Sequence, residues 1–179
     1  MATAHRRSGL RTCLGAGSVY GCLFVAIAAA QIDTSPKDAT APDRIAIAQV
    51  LENYRNAVST GDEALFSTTL LDDQIPFFAV SEARAPVESQ QMRGVAAFRK
   101  AVFHSGRRYT QRFDDIRIAQ DGALAQATLR FVTQRDDGSG ASGWKTLTLL
   151  DTGGHWKIAS EFYTVRRLTS ADAPAAAIP

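Results

Sequence analysis

Cysteine is nearly absent from this chain, and both copies, Cys13 and Cys22, fall in the first 30 of its 179 residues. Once that segment is removed, there is no disulfide, no thiol nucleophile and no thiolate metal site, so packing must supply the stability. Histidine is scarce as well: after His5 only His104 and His155 occur. They fall at a helix end and in a turn, well apart in the expected fold. No His/Asp/Glu cluster has ligand spacing, so neither a metal nor a cofactor is expected. Charge of one sign is also lacking. Residues 1–30 hold three of the 20 basic residues and none of the 18 acidic ones, which leaves the remainder at a formal −1. The sequence pI of 8.7 therefore belongs largely to the leading segment. It argues for neither nucleic acid nor an anionic membrane as partner. No internal repeat is present.

What the first 30 residues do have is the layout of a secretory signal peptide. Arg6, Arg7 and Arg11 precede an uncharged, small and apolar run from Leu14 to Ala30, and Ala28-Ala29-Ala30 offers a cleavage site. Export, to the periplasm or outside the cell, after cleavage near Ala30 is the expectation, with no membrane association afterwards. A single membrane anchor is the competing reading, but the run is short and rich in glycine and alanine, with no stop-transfer charges behind it. Arg6-Arg7-Ser8-Gly9-Leu10 resembles a twin-arginine signal with Gly9 in place of the usual aromatic. Val19-Tyr20-Gly21-Cys22 resembles a lipoprotein box, yet the apolar run continues past Cys22. The roughly 149 residues that follow suffice for one domain with a core.

Residues 31–42 read as a flexible lead-in, and Asp43 as the N-cap of a first helix. Ile47, Leu51, Tyr54 and Val58 recur on one helical face, and Gly61 ends the helix. Asp62 caps a shorter second helix carrying Leu65, Phe66 and Leu70. Ile75 to Val80 reads as a short strand that Pro76 confines to an edge or a strand start. Ser81 to Arg93 has no period and reads as a loop. Gly94 opens a third helix with Val95, Phe98 and Val102 as its stripe, stopped by Gly106. From Arg107 the period changes to two: strands at 107–120, 123–135, 144–151 and 155–165 are separated by Asp121-Gly122, a Gly/Ser-rich loop at 136–143, and Gly153-Gly154. Residues 169–179 read as a disordered tail. Helices segregated from an antiparallel meander make an α+β domain over 43–168. A curved antiparallel sheet wrapped around the three helices gives a cone with a cavity.

That order resembles the nuclear transport factor 2-like superfamily, in particular its SnoaL-like branch. The resemblance rests on Val58-Ser59-Thr60-Gly61-Asp62 at the first helix end and Gly94-Val95-Ala96-Ala97-Phe98 opening the third helix. Asp121-Gly122-Ala123-Leu124-Ala125 between strands and Trp156-Lys157-Ile158 in the last strand complete it. The resemblance implies a cone-shaped α+β barrel, often homodimeric through the outer sheet face, with a pocket between helices and sheet. It implies no single activity: isomerases, dehydratases, cyclases, epoxide hydrolases and oligomerisation modules share the fold.

In ketosteroid isomerase-like members a tyrosine seven residues before this Gly-Asp donates a hydrogen bond to a developing oxyanion, and Tyr54 stands at that spacing from Gly61-Asp62. Tyr54 either does this from an apolar site, where such a donor is worth most, or completes the core stripe of its helix. The aspartate base of that group falls near Phe78, which cannot accept a proton. On the last strand, with Trp156 and Ile158 inward, alternation adds Ser160, Phe162 and Thr164 to the same face. Relatives often carry histidine at the places of Ser160 and Phe162. Glu161 falls on the opposite face unless a bulge turns it inward. Asp114 and Asp115 point to opposite faces. Arg112 and Arg130 either reach a pocket and hold an anion or face solvent.

Three functions follow from these residues. The first is binding of a small, mostly apolar ligand in a pocket lined by Tyr54, Phe78, Phe98, Trp156, Ser160 and Phe162. The second is a lyase or isomerase with Tyr54 as hydrogen-bond donor and a base not identified in the sequence. The third is a structural homodimerisation module with a filled cone.

Overall fold

The computed structural model describes residues 37–81 and 94–169. Residues 1–36, 82–93 and 170–179, on which the expected signal peptide, most of the expected lead-in and loop, and the expected tail fall, lie outside the described residues. The elements run β1 (Lys37–Asp38), α1 (Ala41–Thr60), α2 (Glu63–Thr69), β2 (Phe77–Ser81), α3 (Val95–Val102), β3 (Tyr109–Asp121), β4 (Leu124–Arg135), β5 (Gly140–Asp151) and β6 (Trp156–Arg167). The strands form one six-stranded sheet in the order β1-β3-β4-β5-β6-β2. The expected α+β cone is thus what the chain forms, with a curved sheet that stays unclosed. Its edges are β1 and β2, and β2 pairs parallel with β6 while every other pairing is antiparallel.

Helix α1 starts two residues before Asp43. The cap is Thr40, whose hydroxyl accepts from the Asp43 amide, and Pro42 sits in the first turn where its missing N–H costs nothing. Asp43 serves instead as a clasp. Its carboxylate accepts from Gln120 Nε2 at 2.7 Å on β3, from the Thr40 hydroxyl at 2.7 Å and from Trp156 Nε1 at 3.1 Å on β6. Those three donors, the Gln120 amide first, hold the Asp43 carboxyl below the usual carboxylate range. Gly61 ends α1 in the left-handed region (φ 71°), and the Asp62 carboxylate caps α2 by accepting from the Leu65 amide at 2.8 Å. Helix α3 ends at Val102, short of Gly106.

Strand β5 begins at Gly140 rather than Trp144, so half of the Gly/Ser-rich stretch is sheet. Gly143 is why: it is buried, and a Cβ there would run into the Thr164 carbonyl oxygen and the Phe131 ring. Two of the three glycines that suggested a loop, Gly140 and Gly143, are in fact demanded by close strand packing, while Gly138 serves the turn before them. The core sits between α1, α2 and the concave sheet face, with Ile47, Leu51, Phe66, Leu129, Leu147, Leu149 and Ile158 all at or near zero exposure. Phe66 anchors an aromatic cluster, 5.2 Å from Phe98, 5.3 Å from Phe103 and 6.4 Å from Phe77.

Candidate functional site

The last strand is where the register matters most. Leu149 of β5 pairs with Ile158, but Thr148 pairs with Ser160, so β6 carries one extra residue, Ala159, in a bulge. Before the bulge Trp156 and Ile158 face the core, as expected. After it the parity is reversed: Ser160, Phe162 and Thr164 leave the inward set and Glu161 enters it. Glu161 is fully buried. Phe162 is 42% exposed on the outer face, where it stacks on Phe78 with ring centroids 5.0 Å apart and planes at 13°. Simple alternation fails here because one unpaired residue shifts the period-two count.

Glu161 does not enter the core alone. On β5, Lys145 shares parity with Leu147 and Leu149 and points inward, 2% exposed. Its Nζ lies 2.7 Å from Glu161 Oε1 and donates to the Tyr54 hydroxyl oxygen at 2.9 Å. The Tyr54 hydroxyl in turn donates to the same Glu161 Oε1 at 3.0 Å. Phenol, amine and carboxylate from α1, β5 and β6 thus close a triangle around one oxygen atom, while Glu161 Oε2 is buried with no hydrogen-bond partner among the described residues. Four rings surround the amine: Tyr54 at 4.5 Å, Phe131 at 5.1 Å, Tyr163 at 5.3 Å and Phe113 at 5.4 Å from Nζ to centroid.

Burial acts on all three groups. It pulls the Lys145 amine down and pushes the Glu161 carboxyl up, each opposed by the attraction of its partner. Burial, followed by the charge of Glu161, pushes the Tyr54 phenol well above its ordinary value, so Tyr54 remains a proton donor. The amine and the carboxyl are drawn towards one another in proton affinity, which lowers the cost of passing a proton between them.

A cavity of about 610 Å³ lies against this triangle on the side of Lys145. Its described walls include Phe98, Val102, Ala79, Phe131 and Tyr163, with Tyr109, Gln111 and Thr133 as polar members. Gln111 is 3% exposed, and its Nε2 donates to the Thr133 hydroxyl at 3.1 Å. Gln111 Oε1 is buried with no hydrogen-bond partner among the described residues. Tyr54 and Glu161 lie behind Lys145, and neither is among the lining residues.

Of the residues singled out from sequence, the structure brings Tyr54 and Phe98 together, with ring centroids 6.1 Å apart. Trp156 is buried at the Asp43 clasp, Ser160 is half-buried beside the bulge, and Phe78 and Phe162 are on the outer face. His104 is exposed and pairs with Glu63 Oε2 at 2.7 Å, and His155 is exposed. Arg112 pairs with Asp114 at 2.8 Å. Neither Arg112 nor Arg130 is among the residues lining the cavity. Among the described residues no three His, Cys, Asp or Glu side chains are grouped to hold a metal ion. No helix among them is long and apolar enough to cross a membrane.

Sequence reasoning misses Lys145 and Gln111, and brings Glu161 inward only through a bulge, which the strand pairing supplies. Lys145 carried a signal, since a lysine in step with Leu147 and Leu149 belongs to a buried face. Gln111 carried none.

A family model described as a SnoaL-like domain matches residues 47–163. No protein of curated function matches the chain. Among solved structures, a nuclear transport factor 2-like protein of unknown function from Shewanella baltica is 18% identical, with 72% of this chain and 98% of that one covered and a TM-score of 0.53. A similar protein from Cytophaga hutchinsonii is 12% identical over 69% of this chain and 98% of that one, with a TM-score of 0.56. The CaMKII hub of S. rosetta is 20% identical over 68% of this chain and 95% of that one, with a TM-score of 0.52. At such identities these structures speak to fold alone.

Proposed function

The chain belongs to the SnoaL-like domain family of the nuclear transport factor 2-like superfamily, and from that premise we propose that it is an exported domain whose cavity binds a small, mostly apolar molecule. One observation carries this reading. The space between α3 and the sheet, about 610 Å³, is left open by the side chains of the described residues. That volume lies in the range of small-molecule sites, and its aromatic walls with a few polar groups have the usual composition of such sites. Lys145 is the one charged residue among the described lining residues, so a ligand's acceptor group would be oriented towards it.

The test is to fill the space. Ala141 lines the cavity from β5, and Ala141→Phe would occupy it. N-phenylnaphthylamine, a neutral apolar fluorophore, should brighten with the native chain and lose at least most of that signal with Ala141→Phe. Equal brightening with both proteins would show that the probe sits elsewhere and would end the proposal.

A second reading, acid–base chemistry of the lyase or isomerase type, is favoured by the triangle itself: Tyr54 lies within hydrogen-bond reach of two ionisable groups, 2.9 Å from one and 3.0 Å from the other. Tyr54 would act through Lys145 rather than on the substrate, since it does not line the cavity. Tyr54→Phe would then lower turnover of a ligand without abolishing its binding. The exposed Trp144 and Phe162, 52% and 42% accessible on the outer sheet face, support a homodimer through that face. Light scattering on the native chain and on Phe162→Ser tests it, the substitution being expected to yield monomers.

A further inference from the structure

We propose that Lys145 captures aldehydes and ketones as an imine inside the cavity. The inference rests on the cavity reading above and deepens it by naming the ligand class. Three observations carry it: Lys145 lines the cavity with its amine 5.1 and 5.3 Å from the rings of Phe131 and Tyr163, two more lining residues; a carboxyl lies 2.7 Å from that amine to manage protons; and the aromatic walls suit an apolar carbonyl compound.

The geometry supplies each participant. Lys145 Nζ has three substituent positions beyond its carbon. Glu161 Oε1 and the Tyr54 hydroxyl oxygen account for two of them. A lysine amine becomes nucleophilic when it is held free of protons in an apolar site. Burial of the Lys145–Glu161 pair works in that direction by favouring the neutral forms of both groups.

The reaction balances with these groups alone. The ammonium first passes a proton to the Glu161 carboxylate. The amine lone pair then attacks the carbonyl carbon, forming a C–N bond as the C=O π pair moves to oxygen. Proton transfer from nitrogen to oxygen gives the neutral carbinolamine. Glu161 returns its proton to the hydroxyl, water leaves, and the nitrogen lone pair closes the C=N bond. The result is a protonated imine on Lys145, a carboxylate on Glu161 and one water, with no change in total charge or oxidation state. The cation ends where the ammonium began, facing the same carboxylate, so the buried ion pair is preserved across the reaction. Oε2, which has no hydrogen-bond partner among the described residues, gives the carboxyl a second oxygen on which to carry the proton.

Reductive trapping tests this on the full chain. The protein is incubated at neutral pH with benzaldehyde and cyanoborohydride, and the benzylated lysines are mapped by peptide mass spectrometry. The other lysines, Lys37, Lys100 and Lys157, serve as internal controls. Burial depresses the amine and raises its free-base fraction, so Lys145 should be benzylated ahead of the controls. Lys145→Arg keeps the charge but removes the nucleophile, and should lose that early mass increment while the controls react as before. Benzylation confined to the other three lysines would overturn the proposal.

Displacement of N-phenylnaphthylamine separates the two levels of inference. Benzyl alcohol, which has no carbonyl, should displace the probe from the native protein. If it does so while Lys145 goes untrapped, imine capture is refuted and the binding cavity stands. If neither benzyl alcohol nor benzaldehyde displaces the probe, both readings fall.

Discussion

Removing one member of the Lys145–Glu161 pair should be far more costly than removing both. In Glu161→Leu the Lys145 amine, 2% exposed, either stays charged without its carboxylate or gives up its proton. Giving up the proton at pH 7 costs about 4.6 kcal/mol, from an ordinary lysine value near 10.4 at about 1.36 kcal/mol per unit. That figure caps the electrostatic loss. In Lys145→Met the Glu161 carboxyl can escape by taking a proton, at about 3.7 kcal/mol from an ordinary value near 4.3. Both caps fall in the range of about 3–5 kcal/mol found when one partner of a buried pair is deleted. Lys145→Met/Glu161→Leu leaves no charge to accommodate and strands only the buried Tyr54 hydroxyl, at about 1–3 kcal/mol, so it should cost less than either single variant.

The sign of the pH dependence distinguishes the two single variants. In Lys145→Met the folded-state pKa of Glu161 lies above its unfolded value, so stability is greatest at low pH and is lost as pH rises. Moving from pH 7 to pH 5 should recover up to about 2.7 kcal/mol. In Glu161→Leu the folded-state pKa of Lys145 lies below its unfolded value, and the same recovery is expected from pH 7 to pH 9. Urea unfolding of the four proteins at the three pH values measures all of this. Losses under about 1 kcal/mol in both single variants, or pH slopes of the same sign, would refute the burial argument.

Other expectations follow from the surrounding geometry. Gly143→Ala places a methyl against the Thr164 carbonyl and the Phe131 ring, and should cost about 1–3 kcal/mol or more in urea unfolding. Asp43→Asn should lower the melting temperature at pH 7. Because the Asp43 carboxyl is held below its ordinary value, its contribution is present above the unfolded pKa and is lost as pH falls through the folded one. The gap between native and variant should therefore close below about pH 4. Deleting Ala159 restores a regular ladder and leaves Glu161 opposite Leu147. The deletion should fold with the Lys145–Glu161 pair intact, which its unfolding profile between pH 5 and pH 9 would show by matching the native one.

The frame of the domain was legible because it depends on local signals. Ile47, Leu51, Tyr54 and Val58 mark the buried stripe of α1, and Gly61-Asp62 ends one helix and caps the next. Pro76 stands before an edge strand. Parts of the candidate site were hidden for separate reasons. Glu161 depends on a bulge at Ala159, and a bulge is set by pairing between strands rather than by the residues of one strand. Phe162 was misplaced by the same shift. The glycines of 136–143 look like loop residues until the close approach of β6 to Gly143 is seen. Lys145 was the legible miss, because its spacing from Leu147 and Leu149 assigns it to the buried face whatever its charge.

The placement of the pair bears on why the chain keeps it. An apolar replacement of similar volume commonly stabilises a domain at least as well as a buried ion pair does, so stability alone is a poor reason for Lys145 and Glu161. Tyr54 could fill its place as phenylalanine, given Phe66, Phe98 and Phe113 around it at 5.2, 6.1 and 5.6 Å. All three polar choices meet at one oxygen, and the cavity opens beside the one of them that is an amine. Three elements, α1, β5 and β6, each place a polar group at a core position there. Imine capture as proposed accounts for all three, since it needs a proton-handling amine presented to the cavity.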